Sequence, residues 1–117
     1  MATASSPGRR FYKRQIELLQ SRDVRRLIAE HYQPDAALIS PDRVVIGAQA
    51  LEQHFATYLE QLGPFRVEAL SAFQESADAI LFEATTISNF GRVRVYDAFS
   101  LRDGRIQHHF TGVIERL

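Results

Sequence analysis

The hydrophobic pattern of this chain changes its period once, at Gly63-Pro64, and that change limits the fold more than any other feature. Before it, apolar residues recur three and four apart, as on one face of a helix. After it they alternate, as on a strand. Helices first and strands afterwards give the α+β class, with helices packed on one face of a sheet.

In the first half, Phe11, Ile16 and Leu19, then Val24, Leu27, Ile28 and His31, predict two helices from about Phe11 onward. Ser21-Arg22-Asp23 separates them, and Ser21 or Asp23 suits the cap of the second, which runs to about Tyr32. Pro34 ends it, because the residue before proline is pushed out of the helical region. Residues 35–40 lead into a short strand, and Val44-Val45-Ile46 is a further apolar run. A third helix is expected over about 48–62, with Leu51, Phe55, Tyr58, Leu59 and Leu62 on one stripe. Past Pro64, residues 65–73, 79–89, 93–101 and 106–115 read as four strands with short connections, an antiparallel meander.

A chain of 117 residues is one domain, long enough to bury a core of its own. Residues 1–10, MATASSPGRR, are expected to be a disordered lead-in without a signal-type apolar segment, and the domain is expected to span 11–117. Zero formal charge argues against a nucleic-acid module, which needs a basic excess on one face. No apolar run approaches membrane length. The absence of cysteine excludes disulfides, thiolate zinc sites and thiol nucleophiles, and suits a cytoplasmic protein. Four histidines without a helical pair give no metal expectation, and the single, scattered glycines form no phosphate loop. No cofactor is expected.

The chemistry concentrates in residues 93–115. Val93, Val95, Phe99 and Leu101 share one strand face, and Asp97 sits in that row as its one charge. A carboxylate among buried apolar groups is costly unless it has a partner or borders a cavity. The next strand carries His108 and His109 on opposite faces. A three-residue Arg102-Asp103-Gly104 loop, with Gly104 opening a bulge, brings His109 to the face of Asp97. A two-residue loop brings His108 there instead. The first register is favoured, because glycine suits the residue that closes a type I turn and starts the bulge; the apolar positions Ile106, Phe110 and Ile114 argue mildly for the second.

Tyr32-Gln33-Pro34-Asp35-Ala36 after the second helix, Gly47 before the third, and Tyr96-Asp97-Ala98-Phe99 followed by Asp103-Gly104-Arg105-Ile106 stand in a familiar order. In these the chain resembles the SnoaL-like, ketosteroid-isomerase-like branch of the nuclear transport factor 2 superfamily, from Phe11 to the end. The resemblance implies a cystatin-like cone: three N-terminal helices packed on a curved antiparallel sheet, with a pocket at the open end. It puts Asp97 at the place of the protonated aspartic acid of the isomerase oxyanion hole, and His109 where many SnoaL-like sequences carry a histidine. Ser40 stands where the isomerase has its general-base aspartate, and Ile16 where it has its oxyanion tyrosine, with Tyr12 one turn away. The resemblance further implies a homodimer through the sheet face that carries Arg94, Tyr96, His108 and Phe110.

These readings make Asp97 and His109 the candidate catalytic pair, and Tyr12, Tyr32, Phe55, Tyr58, Phe99 and Thr111 the candidate contacts of a small apolar ligand bearing a carbonyl. An acid and an imidazole sharing a proton suit enolisation, cyclisation or dehydration without a cofactor. The alternative is a non-catalytic binding or dimerisation module in which the two groups merely satisfy each other. Asp35 is expected to cap its turn by accepting backbone hydrogen bonds, His31 to be a satisfied core histidine, and His54 to lie partly exposed near the pocket mouth.

Overall fold

The computed structural model describes residues 5–117. Helix α1 spans Pro7–Ser21, α2 Val24–His31 and α3 Ala48–Leu62. The strands are β1 Tyr32–Ser40, β2 Arg43–Ile46, β3 Arg66–Glu75, β4 Ala79–Ser88, β5 Gly91–Arg102 and β6 Arg105–Arg116.

Helix α1 starts four residues before the expected Phe11. Ser6 accepts a hydrogen bond from the Arg9 amide and Pro7 takes the first turn, so the local capping chemistry outweighs the disorder-prone composition. Residues 7–10 of the expected lead-in are therefore helical, and residues 1–4 lie outside the described part. Asp23 caps α2 by accepting from the Arg26 amide. That helix ends at His31, ahead of Pro34, which sits within β1 where the register against β6 shifts between Tyr32 and Ala37. A register shift is where a strand tolerates a residue lacking its N–H.

The sheet order is β2-β1-β6-β5-β4-β3. Strands β3 to β6 form the expected antiparallel meander, but β1 joins β6 in parallel, so the sheet is mixed rather than wholly antiparallel. The helices pack on its concave face around Leu18, Leu27, Ile28, Tyr32, Leu51, Phe55, Phe82, Phe99 and Ile106. The buried line of α1 runs through Gln15 and Leu18, one position off the Ile16 and Leu19 expected from the apolar pattern.

The β5–β6 hairpin differs from the favoured reading in an instructive way. Arg102 pairs with Arg105, so the loop is the two-residue Asp103-Gly104 turn, with φ of 52° and 75°. Positive φ at both central positions makes it a type I′ turn, matched to strand twist. Simple alternation from such a turn would carry His108 inward. Instead Leu101 pairs with Ile106 and Ser100 with His108, leaving Gln107 as an extra residue. This bulge reverses the parity, so Ile106 and His109 both face the cone and Phe110 faces out. A second shift between Arg94 and Val95 displaces Ile114 from the pattern in the same way.

Candidate active site

His109 lies opposite Phe99, and Asp97 opposite Thr111, all four on the concave face. The imidazole reaches diagonally, bringing His109 Nε2 to 2.7 Å from Asp97 Oδ1. The Asp97 side chain is 17% exposed and that of His109 7%. The other imidazole nitrogen, Nδ1, is 2.9 Å from the Tyr32 hydroxyl. Gln15 Nε2 donates to that hydroxyl at 3.0 Å, and Gln15 Oε1 lies 2.7 Å from His31 Nδ1. Gln15, His31, Tyr32 and His109 are all buried, and each finds its partners within this row.

The packing holds the row rigid. The Phe99 ring stands edge-on to His109 at 4.7 Å, and Phe55 approaches both Tyr32 and His109. Phe11 stacks flat on His31 at 3.9 Å. Burial pushes the Tyr32 hydroxyl far above its ordinary titration range, so it stays protonated and able to donate. Burial also lowers His31 to about 4, against the weaker pull of Glu30, so that ring is neutral at pH 7. At the surface end, Glu30 is held down at about 2 by its hydrogen bonds with Arg14.

In front of Asp97 and His109 opens a cavity of about 870 Å³. Its walls include Leu19, Leu38, Leu62, Val67, Phe82 and Val95, and its mouth carries Ser40, Asp42, Arg43 and Gln61. Tyr12, Phe55, Tyr58, Phe99 and Thr111 line it as expected from the sequence. Tyr32 does not: it lies behind His109 as a hydrogen-bond bridge. The Tyr12 hydroxyl is raised by burial first and by the charge of Asp97 second. His54 also lines the cavity, stacked on Tyr58 and part-buried. Ser40 donates to Asp42 at the mouth. Among the described residues no three His, Cys, Asp or Glu side chains gather as metal ligands.

Sequence reasoning passed over Gln15. Its signal was its place one turn beyond Phe11 on the buried side of α1, a polar residue where the core stripe should continue. Asp35, expected to accept backbone N–H groups, accepts from the Arg102 and Gln107 side chains instead, because the strand begins at Tyr32 and leaves no turn there to cap.

A family model described as a SnoaL-like domain matches residues 12–109. The chain belongs to the SnoaL-like family. Solved structures show the same fold at low identity. An NTF2-like protein from Anabaena variabilis is 14% identical, with a TM-score of 0.79 over 99% of this chain and 96% of its own. An NTF2-like protein of unknown function from Burkholderia pseudomallei is 16% identical, with a TM-score of 0.77 over 93% and 92%. TerC, co-crystallised with polyporic acid, is 17% identical, with a TM-score of 0.75 over 92% of each chain. Among curated proteins none matches. No helix among the described residues is long and apolar enough to cross a membrane.

Proposed function

We propose that this SnoaL-like domain is a cofactor-independent acid/base enzyme acting on a small, largely apolar carbonyl compound, as an isomerase, cyclase or dehydratase. The observation that carries this reading is Asp97: a carboxylate on the wall of an apolar cavity, held on one oxygen by a buried imidazole. His109 Nε2–H donates to Oδ1 and orients the carboxylate. Asp97 takes a proton from the carbon next to the ligand carbonyl. The developing enolate oxygen accepts a hydrogen bond from Tyr12 or Tyr58, hydroxyls that stay protonated at neutral pH and line the same cavity. The proton then returns to another carbon, or to a departing oxygen. The structural neighbour TerC was crystallised with a small organic compound, polyporic acid.

The test is hydrogen exchange at the α-carbon of cyclic ketones in D2O, followed by NMR. Asp97→Asn should slow exchange by roughly 10²–10⁴, the usual worth of a positioned acid or base, and His109→Gln should slow it less. If no compound exchanges, and both variants merely lower the melting temperature, the pair is architectural and the domain is a binding or dimerisation module.

For assembly we propose a homodimer through the outer sheet face, where Phe110 and Leu81 are 41% and 45% exposed, beside Arg94, Tyr96 and His108. Val44 and Ile46 on edge strand β2 extend this apolar area. Exposed apolar area of this kind, mixed with tyrosine and arginine, is favoured at interfaces. Size-exclusion chromatography with light scattering checks it, and a monomer at high concentration refutes it. A cytoplasmic location accords with the cysteine-free composition and is part of the same proposal.

A further inference from the structure

The row behind the pocket joins two carboxylates. Asp97 meets His109 Nε2 at 2.7 Å at the pocket end, and Glu30 lies 3.9 Å from His31 Nε2 at the other. Between the two histidines run Tyr32 and Gln15. Each link has one hydrogen, so the direction of one bond dictates the direction of the next.

Two arrangements close the row. In the first, His31 Nδ1–H donates to Gln15 Oε1, Gln15 Nε2–H to Tyr32, the Tyr32 hydroxyl to His109 Nδ1, and His109 Nε2–H to Asp97. In the second, the Gln15 amide is turned over. His31 then carries its hydrogen on Nε2, facing Glu30, and Tyr32 donates to Gln15 Oε1. His109 Nδ1–H donates to Tyr32, and His109 Nε2 is left bare against Asp97 unless one more proton enters that pair. With both rings neutral, only one of the two acids receives a ring N–H.

We propose that Gln15, His31 and the Arg14–Glu30 ion pair are positioning residues that direct this row toward Asp97 and so keep its carboxylate oriented as the base. Asp97 prevails because its contact is a short hydrogen bond, whereas Glu30 is farther away and already occupied. Arg14 donates to it at 2.6 and 2.9 Å, and Arg26 adds a second cation at 3.7 Å. The other ionisable groups facing the row are Tyr12 on α1 and His54 and Tyr58 on α3, which meet it only at the cavity end. The proposal rests on the acid/base reading of Asp97, but its test does not.

The experiment is two-bond 1H–15N correlation on ligand-free protein labelled at histidine nitrogen, at neutral pH. In the wild type, His109 should bear its proton on Nε2 and His31 on Nδ1. In Asp97→Asn the charge at the pocket end is gone, Glu30 becomes the only charged end, and the His31 proton should move to Nε2. Arg14→Met, at a half-exposed surface position, should raise the Nε2–H fraction of His31 with Asp97 intact. A wild-type His31 protonated on Nε2, or a His31 proton that stays put in both variants, overturns the coupling. If the His31 proton moves as expected while Asp97→Asn retains full exchange activity, the coupling stands and the catalytic reading falls. The converse pattern leaves the catalytic reading and removes the coupling.

Discussion

Tyr32→Phe is the sharpest test of the row, because it deletes one oxygen and leaves the ring. That oxygen accepts from Gln15 at 3.0 Å and lies 2.9 Å from His109 Nδ1. Tyr32 is 2% exposed, Gln15 2% and His109 5%, so water cannot replace what is lost. Leaving a buried donor and a buried acceptor unpaired costs about 1–3 kcal/mol each, which gives about 4 kcal/mol as a central value. The phenylalanine ring keeps its contact with Phe55, so no cavity is added to that figure. With a urea m-value of about 2 kcal/mol/M, the unfolding midpoint should fall by about 2 M at unchanged m. Tyr58→Phe is the control: its hydroxyl has no hydrogen bond to another described residue, and the midpoint should move by less than about 0.3 M. A Tyr32→Phe protein within about 0.5 kcal/mol of wild type would refute the idea that the row is closed and dry.

Other expectations follow from the same geometry. His31 ordinarily titrates at 6.5 and is lowered to about 4 in the fold, so between those pH values the unfolded chain binds the proton and the folded chain does not. Stability is therefore complete above pH 6.5 and declines by up to about 3 kcal/mol as pH falls toward 4. His31→Asn, which keeps a donor for Gln15, should flatten that decline in denaturant titrations at pH 5 and 7. A Cβ at Gly112 would come within 2.6 Å of the Tyr96 ring on the neighbouring strand, so Gly112→Ala should cost about 1–3 kcal/mol by overpacking, read as a lowered thermal midpoint. Gly104 sits at a φ of 75° in the type I′ turn, and Gly104→Val should destabilise the hairpin by about 1–2 kcal/mol, whereas Gly104→Asn should be nearly neutral.

Local pattern determined much of this molecule. The change of period at Gly63-Pro64 announced α+β, and the third helix ran over the stripe the sequence indicated, 48–62, because helix faces and strand alternation are written at short range. Asp97 was conspicuous for the same reason, as a charge in an apolar row. Only the tertiary structure decided that β1 lies parallel to β6, since that pairing joins residues some seventy apart. It alone decided that a bulge at Gln107 turns His109 inward behind a two-residue turn, because the pull is the burial of Ile106 and His109 together against helices elsewhere in the chain. The part played by Gln15 and Tyr32 was invisible for a related reason. A buried polar side chain takes its meaning from its partners, and theirs come from a second helix and two different strands.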